Sequence, residues 1–276
     1  SAVIKKHKLN AKKNLGQNFL LDLNLTAKIA RSCKNLTGST IIEIGPGPGC
    51  LTRSILKKNP NILFAIDKDI QSRKMLTDLK MVYNEKLEIL IGDALDYPIW
   101  NLGSPPRQVI ANLPYNTGTK MLILWLKYIN NFDLMTLMFQ KEVAQRIVAQ
   151  PGSKAYGRLA ILAQWRSEVK IVLNLPPDAF TPPPKVSSAV IHLEALPAPR
   201  YEANQKVLES LVAAAFNQRR KMLRSALKGL SPEIEDHLKA AGLSPTERAE
   251  QVSLEGFCAL ARQLEAAYGS HSTPQA

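Results

Sequence analysis

The stretch "IIEIGPGPGC", residues 41–50, places an apolar run directly before a loop rich in glycine and proline. The apolar run predicts a short buried strand, and residues 50–59, which follow, have the pattern of a helix. Gly45, Gly47 and Gly49 let the backbone approach a ligand closely, and a helix start offers unpaired N–H groups. The stretch therefore predicts a strand, a ligand-binding loop and a helix.

The same alternation of strand and helix continues along the chain. Further strands are predicted at 62–66, 86–91, 108–111 and 134–139, with helices at 24–34, 69–80 and 119–129. Residues 168–175 and 187–195 are predicted to form a closing pair of strands, and from residue 198 the periodicity is helical only. The pattern indicates an α/β fold, a Rossmann-like parallel sheet with helices on both faces, followed by a small all-helical domain.

Charge is the strongest signal in the composition. Lys and Arg number 36 against 23 acidic residues, which gives a net charge of +13. Such an excess favours a nucleic-acid partner, because each basic side chain on a phosphate releases counterions; a generally basic surface or an anionic membrane surface are the alternatives. No apolar stretch reaches the roughly 20 residues of a membrane span, so we expect no membrane association and no secretion signal.

The cysteines and histidines argue against an oxidising compartment and against a metal site. The three cysteines are far apart and odd in number, which favours a reducing compartment and hence a cytoplasmic protein. The four histidines are scattered, so we predict no metal site.

The glycine loop does not fit a dinucleotide. The dinucleotide fingerprint is G-x-G-x-x-G, and counting from Gly45 the third glycine position is Cys50. Pro46 and Pro48 also remove N–H donors that a pyrophosphate needs. S-adenosylmethionine, which carries a sulfonium and an amino acid but no phosphate, suits this loop better, and Glu43 is positioned to face its ammonium group. The alternative is a Gly/Pro turn with no ligand.

Two further acids follow the next two strands. Asp67 ends the second strand, 22 residues after Gly45, where nucleotide folds place the acid that binds ribose hydroxyls. Asp69 is predicted to cap the following helix. Asp93, after the third strand, can accept from the adenine amino group, although an Asp there is often only a turn residue.

The fourth strand leads into "NLPY", residues 112–115. The side-chain oxygen of Asn112 and a backbone carbonyl of Leu113 or Pro114 can together accept the two N–H groups of an aromatic amine. This would favour a pyramidal nitrogen with a localised lone pair, ready for methylation. Tyr115 would stack on the base. The alternative is a turn with Tyr115 packed in the core.

Nine ordered blocks between about residues 12 and 265 resemble the small-subunit ribosomal RNA adenine dimethyltransferases, which are class I S-adenosylmethionine-dependent enzymes. The blocks are 14–22, 43–52, 66–69, 92–95, 112–116, 139–146, 153–164, 179–190 and 216–227. The resemblance implies dimethylation of two adjacent adenosines near the 3′ end of small-subunit rRNA, within an immature small ribosomal subunit. We expect the enzyme to be a monomer.

The resemblance also implies site residues. Cofactor contacts fall on Asn18, Leu20, Gly45, Asp67, Asp93 and Asn112, with Asp67 in place of the glutamate usual in the family. Phe180 matches a second aromatic residue near the target base, although a Phe in a Pro-rich loop can equally belong to the core. The expected RNA contacts are Lys12, Lys13, Arg219, Arg220, Lys221 and Arg224; a helix carrying the last four can also be simply a solvated face.

Four segments are therefore expected. Residues 1–23 form a basic N-terminal segment that closes over the cofactor through Phe19 and Leu20, and residues 24–197 form the catalytic domain. Residues 198–268 form a helical RNA-contacting domain, and 269–276 a disordered tail.

Several other functions compete with this one. The related large-subunit rRNA adenine methyltransferases share a segment like "NLPY", but residues 155–164 and 217–221 point to the small-subunit group. A non-catalytic ribosome-assembly or transcription factor could keep the fold, although the intact "NLPY" argues against a loss of catalysis. Cys50, at the position where a dinucleotide fingerprint needs glycine, argues against a nicotinamide oxidoreductase. The net charge of +13 argues against a protein glutamine methyltransferase.

Overall fold

The computed structural model describes residues 18–270. Contacts divide the chain into two compact units, and each is considered by itself. The first holds the described residues up to 144 together with 168–195. The second holds 145–167 together with the residues from 196 onward.

A seven-stranded sheet forms the centre of the first unit. Its strands are β2 (Thr40–Ile44), β3 (Ile62–Asp67), β4 (Leu87–Ile91), β5 (Arg107–Asn112), β6 (Leu134–Gln140), β7 (Ser167–Leu175) and β9 (Ser188–Ala195). The strand order is β4-β3-β2-β5-β6-β9-β7. Strands β2 to β6 pair in parallel, as the sequence predicts, whereas β9 runs antiparallel to β6. The sheet is therefore mixed, because the strands at the β9–β7 edge include an antiparallel one.

The order of the strands positions the site. From β2 the chain moves outward to β3 and β4, and β5 and β6 then extend the sheet from the other side of β2. Parallel connections are right-handed in nearly all proteins, so the helices of the two halves cover opposite faces. Ligands bind beyond the carboxyl ends of the strands at such a reversal, which here lies between β2 and β5.

Four helices of the first unit lie close to the predicted ranges, and a fifth was not predicted. They are α1 (Leu23–Ser32), α2 (Cys50–Leu56), α3 (Ile70–Tyr83) and α4 (Gly118–Leu126), and α5 (Lys141–Ile147) starts in this unit. Asp69 caps α3 as predicted, because its side chain accepts from the backbone N–H of Gln71 at 3.1 Å. Asp22 does the same for α1, accepting from Asn24 at 2.7 Å. These caps satisfy helix N–H groups that would otherwise lack a partner.

A separate two-stranded ladder lies beside the sheet. Strand β1 (Phe19–Leu20) pairs antiparallel with β8 (Phe180–Thr181), and Leu20 faces Phe180 in the register. Both of these side chains are buried in the apolar cluster that also contains Leu36 and Val190. Burial of this short ladder fixes the chain just after Asn18.

Gly49 shows why glycine is required where the loop enters α2. Its φ is +81°, and a Cβ there would lie 2.7 Å from Leu76 Cδ2 and 3.1 Å from Leu79 Cδ1. Both leucines belong to the core, so neither can move aside freely. We expect Gly49→Ala to lower the free energy of unfolding by about 2–4 kcal/mol, which combines left-handed strain with overpacking.

Gly38→Ala is the matched control for this prediction. Gly38 has a similar φ of +73°, but a Cβ there would meet nothing within 4 Å. We expect this variant to lose only the strain, about 1–2 kcal/mol, in urea unfolding. Equal losses in the two variants would show that the contacts of Gly49 with α3 do not matter.

The second unit is helical. Its helices are α6 (Arg158–Arg166), α7 (Gln205–Asn217), α8 (Leu223–Ala226), α9 (Ile234–Ala240) and α10 (Leu254–Ser270). A continuous apolar core joins them, with Trp165, Leu211 and Phe257 buried in it. Trp165 also donates its indole N–H to the carbonyl of Tyr201 at 2.7 Å, which satisfies its polar atom.

The division of the chain differs from the expected boundary at residue 198 in one respect. Residues 145–167 group with the helical unit, because Tyr156, Ile161 and Trp165 pack in its core. The sequence pattern did not show this, since no helix or strand was predicted between residues 140 and 167.

Residues 204–230, which have a continuous helical pattern, do not form one helix. The helix α7 ends at Asn217, and the backbone turns before α8 begins at Leu223. The N–H of Leu223 donates instead to the carbonyl of Glu247 at 2.8 Å, and that of Arg224 to Pro245 at 3.1 Å. Tertiary hydrogen bonds therefore replace the helical ones here.

Among residues 18–270, no helix combines the length and the apolar character that crossing a membrane requires.

Candidate active site

A cavity of about 250 Å³ lies at the carboxyl ends of β2 to β5. The predicted site residues on its wall are Asn18, Gly45, Gly47, Asp67, Asp93, Asn112, Leu113, Pro114 and Tyr115. Phe19, Lys68, Asn116, Thr117 and Met121 also line it. Four successive strand ends thus converge on one space, as expected for polar residues that follow parallel strands.

The glycine loop has few N–H groups left for a phosphate. Gly45 donates to the carbonyl of Ile66 at 2.9 Å, and Gly49 donates to Pro46 at 3.0 Å. The N–H of Gly47 acts to lower the pKa of Asp67, so it is directed towards that carboxylate. Because the two other loop residues are prolines, the backbone of the loop is poorly suited to bind a pyrophosphate.

Phe19 covers this loop from the short ladder. A Cβ on Gly47, whose φ is +51°, would lie 3.1 Å from the ring of Phe19. Glycine therefore allows the aromatic ring to rest on the backbone. Phe19 lies on the wall of the cavity, whereas its neighbour Leu20 lies on a smaller cavity behind the loop.

Asp67 retains acceptor capacity after its contacts within the protein. One oxygen accepts from the backbone N–H of Asp69 at 2.9 Å, and the other from the hydroxyl of Ser72 at 2.5 Å. Burial raises the pKa of Asp67 above its usual value, and these hydrogen bonds oppose the rise. Since a carboxylate has about four lone-pair sites, Asp67 can still accept from two hydroxyl groups. Ser72 was not foreseen, because nothing in the sequence marks it.

Asp93 is held in a different way. It accepts from the backbone N–H of Leu95 at 3.0 Å and forms an ion pair with Lys68. Burial acts to raise the pKa of Asp93, but the Leu95 N–H and the Lys68 ammonium outweigh it, so the pKa is lowered. The carboxylate therefore stays ionised and able to accept a hydrogen bond. Lys68 adds a positive charge that sequence reasoning missed.

Asn112 is oriented by the segment that precedes β1. Its side-chain nitrogen donates to the backbone carbonyl of Asn18 at 3.0 Å. The amide is planar, so this contact fixes where the side-chain oxygen points. Oδ1 of Asn112 makes no hydrogen bond with any of the residues 18–270 and remains an acceptor on the wall of the cavity.

The two neighbouring carbonyls are not equivalent. The carbonyl of Pro114 accepts from the N–H groups of Thr117 at 3.2 Å and Gly118 at 2.9 Å. Both of its lone pairs are therefore engaged at the start of α4. The carbonyl of Leu113 has no such partner within the described part of the chain. The structure thus favours Leu113 over Pro114, an alternative that the sequence left open.

Tyr115 is half-buried on the cavity wall, and its hydroxyl lies 2.8 Å from the hydroxyl of Ser188. Its ring is therefore part of the site and not a member of the apolar core. Ser188 comes from the closing pair of strands and was not foreseen.

Glu43 lies behind the glycine loop and not on the wall of the main cavity. It is 1% exposed and borders the smaller cavity, of about 20 Å³, together with Leu20. Neither carboxylate oxygen has a hydrogen-bond partner of normal geometry among the described residues. Burial raises the pKa of Glu43 to about 8, and the charge of Asp67 adds to the rise, whereas Thr52 opposes it. Alternation along β2 explains the position, because neighbouring residues point to opposite faces.

Titration of Glu43 predicts a pH dependence of stability. Its pKa rises from 4.5 to about 8 on folding, so between these values the native state holds a proton that the unfolded state releases. The free energy of unfolding should therefore fall as pH rises through this window. We expect Glu43→Gln to remove that loss. The free energy of unfolding of the variant, relative to wild type, should then rise by up to about 1.4 kcal/mol per pH unit. Urea unfolding between pH 5 and 8 measures this difference. If the free energies of unfolding of the two proteins changed in parallel with pH, the prediction would be wrong.

Phe180 does not reach the cavity. It is 3% exposed and packs in the apolar cluster with Leu20 and Val190. The structure thus places Phe180 in the core, and its position beside the target base stays a prediction. Its contact with β1 has a structural reason, since a buried ring on β8 anchors the ladder that carries Asn18.

The basic cluster of the helical unit lies in a turn and a short helix. Arg220, Lys221 and Arg224 are exposed. Arg219 is engaged within the unit, because it donates to Glu250 at 2.7 Å and to the carbonyl of Lys154 at 2.8 Å. Lys12 and Lys13 lie outside the described residues, as do most of segment 1–23 and residues 271–276 of the tail.

The strand order, with one antiparallel strand near the last edge, is that of the class I methyltransferases. A family model described as "Ribosomal RNA adenine dimethylase" matches residues 8–266. The chain belongs to the ribosomal RNA adenine dimethylase family.

Curated relatives and solved structures agree with this assignment. A "Ribosomal RNA small subunit methyltransferase A" of Ruegeria sp. is 62% identical, with 95% of each chain covered. Another of that name, from Roseobacter denitrificans, is 59% identical over 96% of each chain. A dimethyladenosine transferase of Plasmodium falciparum shares the fold with a TM-score of 0.74 and 22% identity, covering 90% of this chain and 98% of its own. The 23S rRNA methyltransferase ErmE does so with a TM-score of 0.67 and 23% identity, covering 90% and 100%.

Proposed function

We propose that this enzyme transfers methyl groups from S-adenosylmethionine to the exocyclic N6 amine of two adjacent adenosines near the 3′ end of small-subunit rRNA. The observation that carries the proposal is the pair of acceptors at the end of β5. Asn112 Oδ1 is aimed by the carbonyl of Asn18, and the neighbouring carbonyl of Leu113 has no partner among residues 18–270. An amine with two N–H groups fits such a pair.

The cavity suits a ligand with a ribose and an adenine but without a phosphate. In loop 45–49 the N–H groups of Gly45 and Gly49 are engaged and two residues are prolines, which disfavours dinucleotides. Asp67 can accept the two ribose hydroxyls, and Asp93 can accept the adenine amino group. Gly45 and Gly47 allow close approach of the amino acid part of the ligand, and Glu43, behind the loop, remains a proposed contact of its ammonium group. S-adenosylmethionine, when bound, supplies a methyl group already activated by a sulfonium.

The protein therefore has to activate the nucleophile. In a free adenine the lone pair of the amine nitrogen is spread into the ring. Two acceptors that hold its N–H groups favour a pyramidal nitrogen whose lone pair points at the methyl group. Asn112 and Leu113 are fixed before the reaction begins, so their stabilisation of the transition state costs no reorganisation. Neither oxygen is a base at neutral pH, so Asn112 and Leu113 would orient the amine, and the proton that the nitrogen loses would go to solvent.

Tyr115 is positioned to hold the base. Bases removed from a helix or a loop are commonly held by aromatic faces, and such stacking is worth about 1–3 kcal/mol per base. The ring of Tyr115 lies on the cavity wall next to the acceptor pair. We propose that it stacks on the target adenine.

Basic residues provide the RNA contact. The net charge of +13 supports binding to phosphates. Arg220, Lys221 and Arg224 are exposed and are proposed to contact rRNA, whereas Arg219 stabilises the fold of its unit. We further propose that the substrate is rRNA within an immature small ribosomal subunit, that the enzyme acts as a monomer, and that it works in the cytoplasm, where such subunits are assembled.

One experiment separates this function from its competitors. Unmethylated small subunits and large subunits are incubated in parallel with protein and isotope-labelled S-adenosylmethionine, and the digested rRNA is analysed by mass spectrometry. We expect two labelled dimethyladenosines per small subunit and none in the large subunit. Label in the large subunit would favour the large-subunit enzymes, and binding without any label would favour an assembly factor.

A further inference from the structure

Tyr115 is held in place from a distant part of the chain. Its hydroxyl lies 2.8 Å from the hydroxyl of Ser188, 73 residues further on. Ser188 is 0% exposed, whereas Tyr115 is only half-buried and lines the cavity. The hydrogen bond therefore ties the far end of a site ring to a buried anchor.

The anchor itself is rigid. Ser188 is the first residue of β9 and faces Gln140 in the antiparallel register with β6. The preceding carbonyl, that of Ser187, accepts from the N–H of Lys141 at 2.9 Å. The backbone of Ser188 is thus held on both sides of the residue. A serine has one side-chain torsion before its hydroxyl oxygen, so a fixed backbone limits that oxygen to three staggered positions.

A tyrosine at a cavity wall has no such restraint on its own. Its ring can turn about two side-chain torsions, and a stacking surface that turns does not define where the amine of the base lies. Burial raises the pKa of Tyr115 above its usual value, and the bond to Ser188 opposes the rise. The phenol is therefore neutral at physiological pH, and its hydroxyl serves as a point of attachment and not as a base.

We propose that Ser188 is a positioning residue for methyl transfer, whose hydroxyl fixes the ring of Tyr115 so that a stacked adenine presents N6 to Asn112 and Leu113. The inference rests on the proposed function and adds a residue that acts through Tyr115 without touching the substrate. Misplacement of reacting groups slows the chemical step more than it weakens binding, so Ser188 should affect kcat.

A double-mutant cycle tests the proposal on the full-length protein. Ser188→Ala, Tyr115→Phe and the double variant are compared with wild type in methyl transfer to unmethylated small subunits, with kcat and KM determined separately. Loss of one buried neutral hydrogen bond corresponds to roughly 3- to 10-fold in rate. We expect each single variant to lose about that much in kcat, and the double variant to lose no more than either single one.

Three accompanying measurements separate the outcomes. Calorimetric binding of S-adenosylmethionine should be unchanged in all three variants, and Ser187→Ala, a neighbouring serine, should keep the wild-type kcat. Losses that multiply in the double variant, or a wild-type kcat in either single variant, would overturn the proposal. If Ser188→Ala does not fold, Tyr115→Phe decides alone, because it breaks the same bond without altering the sheet. Activity of wild type is the separate test of the proposed function.

Discussion

Replacing Asn112 with alanine should lower kcat for methyl transfer by roughly 10²- to 10³-fold, as the loss of one preorganised polar contact to a transition state does in other enzymes. The side-chain oxygen of Asn112 is held towards the cavity by a 3.0 Å hydrogen bond from its nitrogen to Asn18. Alanine removes the acceptor and leaves the carbonyl of Leu113 to hold the amine alone. Single-turnover methylation of small subunits measures the chemical step directly.

Asn116→Ala is the matched control. Asn116 also lines the cavity and is exposed, but it lies outside the acceptor pair. We expect this change to cost less than about tenfold, since it removes an amide without touching the two acceptors. Equal losses in the two variants would mean that the cavity tolerates no amide loss at all, and the special role of Asn112 would be refuted.

The second large effect concerns Asp67 and cofactor affinity. Asp67→Asn keeps the shape but leaves one acceptor oxygen, whereas the N–H of Asp69 and the hydroxyl of Ser72 each use a different oxygen of the carboxylate. The ribose hydroxyls then compete for it. Hydrogen bonds to a charged group contribute about 1.5–3 kcal/mol, so the Kd for S-adenosylmethionine should rise roughly 10- to 100-fold. Isothermal titration calorimetry provides the Kd.

Asp69→Asn controls for a general effect on the loop. Asp69 caps α3 through the N–H of Gln71 at 3.1 Å, and asparagine is an equally good cap. We expect the cofactor Kd of this variant to stay near that of wild type. A tenfold or larger increase of the Kd with Asp69→Asn, or no increase with Asp67→Asn, would show that Asp67 is not the residue that binds the ribose.

The sequence predicted which residues meet at the site because strand ends are local features. Apolar runs mark β2 to β5, and each is followed at once by a polar residue or a glycine. In a parallel sheet the carboxyl ends lie at one edge, so Asp67, Asp93 and Asn112 had to be neighbours of Gly45. The prolines of the loop predicted in the same way, from covalent structure alone, that it has few free N–H donors.

Contacts between distant segments could not be predicted from the pattern. The bond between Asn112 and Asn18 joins residues 94 apart, and that between Tyr115 and Ser188 joins residues 73 apart. Both depend on how the β1–β8 ladder and the antiparallel β9 lie against the sheet. The burial of Phe180 could not be predicted either, because it depends on the pairing of β8 with the distant strand β1.

Other differences between the predicted and the observed structure arose where two local structures compete. The carbonyls of Leu113 and Pro114 look alike in sequence, and only the start of α4 decides which one is engaged. Residues 218–222 have a helical pattern, yet the chain around Leu223 bonds to residues 244–248 instead. In each case hydrogen bonds with another part of the chain outweigh the local preference.

The most direct test of the account is a crystal structure of the enzyme with S-adenosylhomocysteine, the demethylated cofactor, and an adenosine-containing RNA. We predict that N6 of the target adenine lies about 2.7–3.2 Å from both Oδ1 of Asn112 and the carbonyl oxygen of Leu113. An adenine whose N6 points away from this pair, or an Asn112 amide turned to offer its nitrogen to the base, would contradict the proposed mechanism.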